Sequence, residues 1–275
     1  MNKLYKALIY DRQVSLSVLE TTEMVNDAIK THNLDAQSAV TLGGMLTCAA
    51  YMAGCLKSDR GAVSLTVKAD GDAGAVSVSG DKNLHIRGYI DGTCEGRLNG
   101  GYLTVIKDDG FYRPFIGTCE LRGNDVSQNL MQYFQMSEQI DTAVAVGVKM
   151  DGGRCVAAGG VVMQLLPGTT EENMDLAEER MQAFVNPAEV VEKFGADGII
   201  SEFFNGIVKD GETYITFPEY KCNCSRKKIE GVIVPMGKEE LYKIIEDEGS
   251  VKVHCHYCNT DYEFVRSDID ELFKV

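Results

Sequence analysis

Alternating apolar and polar positions divide the first half of the chain into strands and helices. Between residues 14 and 18, three apolar residues alternate with two serines, which is the two-residue repeat of a half-buried strand. Thr22 then opens a segment in which Val25, Ala28 and Ile29 share one helical face. Further runs punctuated by Gly and Asp are typical of strands: 62–69, 75–79, 84–90, 102–107, 115–121, 142–149 and 156–166. The first five of these form a predicted meander, so we expect a mostly antiparallel sheet.

The most apolar segment, residues 36–56, predicts a buried helix with Asp35 as its N-cap. The segment is about long enough to span a bilayer, but polar residues such as Gln37 interrupt it and most of its apolar residues are small. We therefore expect no membrane insertion. Cys48 and Cys55 lie seven positions apart, hence on about the same face, and we interpret them as core thiols.

Two shorter signals belong to the same part of the chain. Asn124 or Asp125 can cap a helix that runs through Tyr133 and Phe134. The glycine-containing residues 71–74 lie between two predicted strands instead of opening a helix, so they predict a turn and not a phosphate-binding loop.

The composition changes in residues 168–220, where the pattern predicts short helices. Thr169 and Glu172 form a capping box for the first helix. Pro187 favours the start of a second helix, which Gly195 can end. These residues therefore predict a helical connector.

The connector is strongly acidic. From Gly168 to Glu212, eleven acidic residues face three basic ones, a net charge of -8, and residues 199–204 can add a third short helix. Short, like-charged helices are marginally stable alone, so their apolar residues must be covered by neighbours. The pattern leaves two interpretations open: a docked linker and a conformational switch.

Together these elements predict an α+β fold. We expect a mostly antiparallel sheet layer packed with helices, then a helical linker, then a small C-terminal module that contains four of the nine cysteines. The predicted boundaries are 1–167 for the N-terminal domain, 168–220 for the linker and 221–275 for the C-terminal module.

Composition and charge narrow the class of protein. The 275 residues carry a net charge of -14, which disfavours nucleic acid as the main partner because phosphate binding relies on basic surface. Nine cysteines without a leader-like N-terminal stretch favour a reducing compartment, so we expect a cytoplasmic protein. Neither a nucleophile-elbow motif nor H-E-x-x-H occurs, and we expect a protein that is not an enzyme. Three cysteines scattered in or beside strands are interpreted as ordinary thiols: Cys94, Cys119 and Cys155.

The last fifty-odd residues carry the chemistry that the first half lacks. Cys222 and Cys224 form a C-x-C pair, and thirty cysteine-free residues later Cys255 and Cys258 form a C-x-x-C pair. Two close pairs separated by a folded spacer predict a tetrahedral zinc site, because zinc prefers four soft ligands and each loop can supply two. Two short strands, 251–253 and 262–264, are predicted to flank the second pair, while the first pair follows an extended run.

Two features of this site bear on whether its metal is functional. His254 or His256 offers a rival ligand, although four thiolates already fill the shell, so we interpret both as outer-shell or solvent-facing. Zinc also holds cysteine in its reactive thiolate form, and the two thiols of each pair are close enough to bond each other once the metal is lost. A module of about fifty residues depends on metal binding for its fold. The site is therefore open to oxidation, with loss of fold as the consequence.

At these residues the chain resembles the Hsp33 family of redox-regulated holdase chaperones, and the resemblance extends over its whole length. Its most specific part is the C-x-C and C-x-x-C pattern with its spacer. The matching stretches are 222–226, 236–241, 255–259, Tyr262 and Phe264, with weaker ones at 87–89, 136–139 and 159–167. At position 136 this chain has Met where the family usually has Gln.

The resemblance implies a mechanism. The reduced, zinc-bound form would be inactive; strong oxidants would form disulfides, release zinc and unfold the linker, exposing apolar surface that binds unfolding client proteins without ATP. It implies the pairing Cys222 with Cys224 and Cys255 with Cys258, and a homodimer in the oxidised state.

Three other function classes remain as alternatives. An oxidoreductase would use Cys255 and Cys258, but only seventeen residues follow Cys258, too few for a thioredoxin-like unit. A nucleic-acid ribbon would use the basic run at Arg226, but acids outnumber bases eleven to nine from Lys221 to Val275. A static protein with a purely structural zinc ribbon is the strongest rival.

Overall fold

The computed structural model describes residues 1–69, 75–91, 98, 100–123, 125–209 and 211–274. Three sequence predictions fall outside these residues: the turn at 71–74, the thiol of Cys94 and the alternative cap Asn124. The chain forms two compact units, Met1–Tyr220 and Lys221–Val275. The acidic connector belongs to the first unit.

The first unit contains two sheets. Its strands are β1 (Lys3–Ile9), β2 (Val14–Glu20), β3 (Ala62–Lys68), β4 (Ala75–Asp81), β5 (His85–Ile90), β6 (Tyr102–Asp108), β7 (Phe115–Glu120), β8 (Thr142–Asp151), β9 (Arg154–Leu165), β10 (Tyr214–Thr216) and β11 (Glu219–Tyr220). One sheet has the order β10-β1-β2-β9-β8 and the other β11-β5-β4-β3-β6-β7. All pairs are antiparallel except β11 with β5. The predicted α+β fold class is confirmed.

The predicted meander is wrong at one connection. Strand β6 pairs with β3 and not with its sequence neighbour β5. The other edge of β5 is taken by β11, which arrives from the end of the unit. Hydrophobic alternation defines a strand and its buried face but does not specify which neighbour it pairs with, so the order could not be read from the pattern.

The helices of the first unit lie on both sides of the five-stranded sheet. They are α1 (Thr22–His32), α2 (Ala36–Gly54), α3 (Val126–Tyr133), α4 (Glu171–Met181) and α5 (Pro187–Phe203), with a π-helical turn at Phe134–Glu138 after α3. Asp35 caps α2 by accepting from the Ser38 backbone N–H at 2.9 Å, and Asp125 caps α3 in the same way at 2.7 Å. Both caps agree with the prediction.

Helix α2 is buried because it lies between the two sheets. It packs against β4 and β5 on one side and β8 and β9 on the other. Its small residues permit this close packing, since a Cβ added at Gly43 would lie 2.9 Å from Val25. In the part of the chain that the structure describes, α2 and the other helices fall short of the length and apolar character needed to cross a bilayer. Cys48 is buried on α2 as predicted, whereas Cys55 follows the helix and is exposed, so the core interpretation was wrong there.

Alternation along the strands gives the five-stranded sheet two apolar faces. Leu19 and Val162 face the core that contains α2, while their neighbours Val18 and Val161 face a second core. The second core is completed by α4, α5 and the residues after them, through side chains that include Phe184, Ala196, Ile199 and Phe204. Most apolar residues of the acidic connector are therefore covered by a neighbouring sheet, as expected, whereas Val185 and Leu176 are exposed.

The start and the centre of this connector differ in detail from the prediction. Thr170, one residue later than expected, caps α4 by accepting from Asn173 N–H at 3.4 Å. The hydroxyl of Thr169 instead donates to the carbonyl groups of Gln13 and Leu166. Gly195 breaks α5 with φ 60° and ψ -179°, and a second helical segment follows at once. Gly195 thus ends the first helical segment, as predicted. The segment that follows it contains the predicted third helix, and a kink at Gly195 joins the two.

The second unit has its own small core. It contains α6 (Arg226–Ile233), a 3-10 turn at Val234–Met236, α7 (Lys238–Glu248), β12 (Val251–Cys255), β13 (Thr260–Phe264) and α8 (Arg266–Leu272). The two predicted strands are both present, and they pair antiparallel. Five fully buried side chains form the core: Ile233, Leu241, Val251, Phe264 and Ile269. So small a core contributes little stability.

Candidate metal centre

Two loops of the second unit bring four cysteines together. Cys222 and Cys224 lie in the extended residues before α6, and Cys255 and Cys258 lie at the end of β12 and in the following turn. The turn is closed by Asn259 N–H, which donates to the carbonyl of Cys255 at 2.8 Å, with Asn259 at φ 54°. Asn tolerates this left-handed conformation better than most residues, which fits its place after the second cysteine pair.

The four sulfur atoms all lie within 4.8 Å of one another. Two contacts join the two pairs: Cys224 Sγ is 3.2 Å from Cys258 Sγ, and Cys222 Sγ is 3.8 Å from Cys255 Sγ. A tetrahedral ion with metal–sulfur bonds of about 2.3 Å needs sulfur–sulfur separations near 4 Å. The cluster therefore fits a tetrahedral metal ion. Among the residues that the structure describes, these four cysteines are the group whose ligand atoms lie close enough together to hold one.

The electrostatics of the bare cluster also favour a cation. Burial raises the pKa of Cys222 strongly, with repulsion from Cys255 and Cys258 adding to the rise. Burial likewise raises the pKa of Cys258. Four close sulfurs thus resist becoming thiolates together, and a divalent cation among them would offset that repulsion. The four cysteines can hold a metal ion.

Cys224 differs from its neighbours. Burial acts to raise its pKa, but hydrogen bonds from Tyr262 and the neighbouring thiols outweigh this effect and lower the pKa to about 7. The Tyr262 hydroxyl lies 3.0 Å from Cys224 Sγ, and Thr260 Oγ lies 3.3 Å from Cys258 Sγ. Both partners are on β13, so the second strand supports sulfurs from both loops.

Sequence reasoning did not foresee the role of Arg226. Its guanidinium lies 4.3 Å from the centre of the Phe264 ring, donates to the Glu263 carbonyl at 2.8 Å and pairs with Asp268 at 2.8 Å. These contacts tie the chain two residues after Cys224 to β13 and α8. The position of Arg226, two residues after Cys224, indicates that it lies near the cysteines, but the sequence does not show which residues it contacts. The contacts also engage this arginine within the unit, which weakens the nucleic-acid alternative.

The histidines lie beside the sulfur cluster. His254 Nδ1 is 2.7 Å from Asp261 Oδ1 across the β12–β13 pair, and its ring meets the His256 ring edge-on at 5.1 Å. The cluster of converging ligand atoms contains the four cysteines without a histidine. This arrangement is the one expected if the imidazoles lie outside the ligand set.

Three cysteines of the first unit, Cys48, Cys119 and Cys155, are buried. Burial raises the pKa of Cys48 to about 12 and that of Cys155 to about 11, and it raises the pKa of Cys119 as well. These thiols remain protonated at neutral pH, so they are poor nucleophiles. Among the described residues, the cysteines that burial does not shield are the four of the second unit and Cys55, so these five are the redox-reactive candidates.

Fold and site together define a two-unit protein in which a sheet-and-helix unit precedes a small unit whose four converging thiols could hold a metal ion. The sequence pattern of the family described as Hsp33 protein matches residues 2–265. The chain belongs to the Hsp33 family, and the resemblance seen in the sequence is confirmed.

Relatives support this assignment. The 33 kDa chaperonin of Bacillus cytotoxicus is 34% identical over 290 aligned residues, covering 98% of each chain. A protein of the same name from Clostridium perfringens is 33% identical, covering 99% of this chain and 92% of the relative. The crystal structure of the 33 kDa chaperonin from Thermotoga maritima superposes with a TM-score of 0.85 at 25% identity, covering 98% of this chain and 97% of that one. The names of these relatives support a chaperone function.

Proposed function

We propose that this protein is a redox-regulated, ATP-independent holdase chaperone. Its reduced, zinc-bound form is inactive, and oxidation exposes apolar surface that binds unfolding proteins. The observation that carries the proposal is the convergence of four cysteine sulfurs in a unit whose core is too small to be stable alone. Family membership supports the chaperone part, and the chemistry of the cluster supports the redox part.

One zinc ion is held by Cys222, Cys224, Cys255 and Cys258. The four-sulfur donor set suits zinc better than the oxygen-preferring cations. Bound zinc supplies positive charge that keeps the four sulfurs as thiolates and links the two loops. Tyr262 and Arg226 orient these loops from β13, by the hydrogen bond to Cys224 and by the contacts with Phe264 and Asp268.

Oxidation joins the sulfurs in the pairs that the family resemblance implies, Cys222 with Cys224 and Cys255 with Cys258. For each pair, two thiolates transfer two electrons to one peroxide molecule, which takes up two protons and becomes two water molecules. Sulfurs in a disulfide no longer bind the metal, so the second unit loses the link between its loops. Peptide mapping of the oxidised protein tests the pairing, and a linkage between Cys224 and Cys258 would overturn it.

Residues 168–220 act as the redox-sensitive linker between the N-terminal domain, 1–167, and the zinc-binding domain, 221–275. Its helices cover an apolar face of the five-stranded sheet, so their release would expose side chains from both surfaces. Exposed patches of this kind bind other proteins, and Met and Phe side chains adapt to varied partners. The net charge of -8 between Gly168 and Glu212 disfavours compact re-docking once the zinc unit is unfolded.

The partners are unfolding client proteins in the cytoplasm, together with a second copy of the chain in the oxidised state. Neither nucleic acid nor membrane is a proposed partner. The acidic chain and the internal contacts of Arg226 both argue against nucleic acid. Sedimentation of peroxide-treated protein tests dimer formation, and a monomer at micromolar concentration would contradict it.

The decisive experiment measures light scattering from a chemically unfolded client diluted into buffer with this protein. The protein is either reduced and zinc-loaded or pretreated with peroxide at mildly elevated temperature. Suppression only by the oxidised form, reversed by reductant with zinc, is the expected result. If neither form suppresses aggregation, the zinc is structural in a static protein; if both do, the chaperone function stands without the switch.

A further inference from the structure

Strand β1 is covered along one edge by a short strand from the linker. β10 pairs antiparallel with β1 in the register Leu4 with Thr216, Tyr5 with Ile215 and Lys6 with Tyr214. Strand β1 is seven residues long, and β10 is three. Pairing with β10 therefore covers the edge of β1 at Leu4, Tyr5 and Lys6, and the edge beyond Lys6 is not paired with β10.

The side chains of β10 contribute little to holding it there. Tyr214 is 78% exposed and Ile215 is 46% exposed. The Thr216 hydroxyl adds one long contact, 3.4 Å to the carbonyl of Leu4. Backbone hydrogen bonds are thus the main attachment, and such bonds are available to any extended chain regardless of its sequence.

A cleft of about 370 Å³ adjoins β10 and the residues of β1 that follow Lys6. The cleft is lined by Lys6, Ala7, Leu8, Arg12, Ser15, Gly211, Glu212 and Tyr214. Arg12 and Glu212 approach to 3.6 Å at this cleft. An edge strand, a short strand seated on it and an adjoining cleft therefore form one continuous site along β1.

We propose that the edge of β1 is a strand-addition site for an extended segment of an unfolding client, and that β10 occupies it within the same chain in the resting state. The proposal rests on the proposed function, because the linker must be released before β10 can leave. Main-chain pairing gives affinity without requiring one sequence, which suits a protein that binds many unfolded chains.

The structure also indicates which segments fit best. The resident segment places β-branched and aromatic residues at positions 214–216, after the carboxylate of Glu212, which faces Arg12. A client segment with β-branched or aromatic residues and a preceding acid would reproduce both features. Such segments are normally buried strands, which become available when a protein unfolds.

The test uses the full reduced, zinc-loaded chain and a labelled peptide with the sequence of residues 211–219. Because successive N–H groups of a strand point to opposite edges, prolines at both 215 and 216 (Ile215→Pro with Thr216→Pro) remove a ladder hydrogen bond to β1 whichever of the two N–H groups faces it. Ile215→Thr is the control that keeps both backbone N–H groups and the β-branch. By fluorescence anisotropy we expect at least tenfold tighter peptide binding by the Pro variant than by the wild type or the Thr variant.

Two backbone-methylated peptides test the mode of binding. One carries N-methyl groups at 213, 215 and 217, and the other at 214 and 216. Successive N–H groups of a strand point to opposite edges, so strand addition predicts that one of these peptides loses binding at least tenfold while the other retains it. Loss in both or in neither would overturn the proposal.

A third measurement uses the wild-type chain, in case the Pro variant does not fold. Excess peptide added to the oxidised protein should reduce its suppression of client aggregation at least by half. If oxidised protein suppresses aggregation but the peptide neither binds nor competes, strand addition fails while the proposed function stands. If oxidised protein never suppresses aggregation, the proposed function itself fails.

A second copy of the chain is the competing occupant. If the oxidised protein sediments as a dimer with β1 protected from hydrogen exchange and closed to the peptide, β10 of the second copy fills the site. That result would overturn the client assignment.

Discussion

The hydroxyl of Tyr262 connects the sulfur cluster to the core of the second unit at the scale of a single residue. It lies 3.0 Å from Cys224 Sγ, and this hydrogen bond favours the thiolate. Groups that hold metal ligands in place typically contribute 10–100-fold to metal affinity.

We therefore predict that Tyr262→Phe lowers zinc affinity about tenfold or more, measured by competition with a chromogenic chelator. Tyr242→Phe is the matched control, because Tyr242 hydrogen-bonds Asp270 and not a sulfur. Equal affinities of the two variants would contradict the role given to Tyr262.

Asp197 anchors the second half of α5 to strand β1. It accepts hydrogen bonds from Lys3 and Tyr5, which lower its pKa below the ordinary 3.8. For Tyr5, burial and then the bond to Asp197 raise its pKa to about 12, with Glu20 adding to the rise. Beside it, the Glu20 carboxylate accepts from Ala196 N–H at 2.8 Å.

The sign of the pH dependence follows from these directions. Because the pKa of Asp197 is depressed, its contribution is present above about pH 4 and is lost as the pH falls further. Because the pKa of Tyr5 is raised from 10.0, its contribution is present below pH 10 and is lost as the pH rises through about 12. Between these limits the anchor is intact.

We predict that Asp197→Asn weakens the anchor by about 0.2–1 kcal/mol at neutral pH, since the pair is largely exposed. Hydrogen exchange of residues 196–203 should accelerate, and its difference from wild type should shrink below pH 4. Asp175→Asn, an exposed acid on α4, is the control and should change neither. An unchanged exchange rate in Asp197→Asn would show that the anchor is irrelevant to the linker.

At this scale the sequence predicted the four cysteines because their spacing is itself the signal. It did not predict the contacts of Arg226, Tyr262 or Asp197. Each of these depends on a partner brought near by the fold, at a position the local pattern does not encode.

At the scale of secondary-structure elements, the kink in α5 is the feature most sensitive to substitution. Gly195 has a positive φ of 60° with ψ -179°, a conformation essentially restricted to glycine. An added Cβ would also lie 3.2 Å from Glu20 Oε2.

We predict that Gly195→Ala destabilises the docked linker by about 1–3 kcal/mol. Limited proteolysis should cut the reduced variant within 187–203 faster than wild type, and its aggregation suppression without oxidant should rise. Gly231→Ala, in α6 with open space around it, is the control and should stabilise its helix by about 0.5–1 kcal/mol. Protease resistance equal to wild type in Gly195→Ala would refute the prediction.

Element positions were the most predictable part of the fold. Periodicity located α1, α2 and most of the strands to within a few residues, but β1 and β11 were not predicted. Asp35, Asp125 and Pro187 marked helix starts correctly. The first linker helix was misplaced by one residue, because adjacent Thr169 and Thr170 are equivalent caps in sequence and only tertiary contacts with Gln13 distinguish them.

At the scale of the whole molecule, each of the two units has its own core. The second unit has a core of five buried side chains, to which the proposed zinc would add, whereas the first has two extensive cores. Binding of structural zinc contributes roughly 10–16 kcal/mol in small zinc-dependent peptides, more than so small a core supplies.

We predict that chelation under reducing conditions unfolds residues 221–275 while both sheets of the first unit persist. Hydrogen exchange resolved by peptide should show full loss of protection in α6, α7 and β12 and retained protection in α2. Cys258→Ser should reproduce this state without chelator, and Cys55→Ser, at an exposed thiol of the first unit, should bind zinc like wild type. A protected second unit in Cys258→Ser would contradict metal-dependent folding.

The arrangement of the two sheets around α2 was beyond the reach of the sequence. Strands β10 and β11 join different sheets although only two residues separate them. Their pairing partners lie far upstream, so pairing is decided by the assembled core and not by local pattern.

The pairing of β1 with β10 has a consequence for synthesis on the ribosome. Leu4 and Thr216 are 212 positions apart. At a translation rate of about 5–20 residues per second, β10 is therefore synthesised about 10 to 40 s after β1. During that time the nascent chain presents the same open edge that its clients would. Lys3 and Lys6 lie on this strand, and lysines on an edge strand discourage pairing with other chains. The strand that we propose pairs with client segments must therefore avoid pairing with other chains while it is being synthesised.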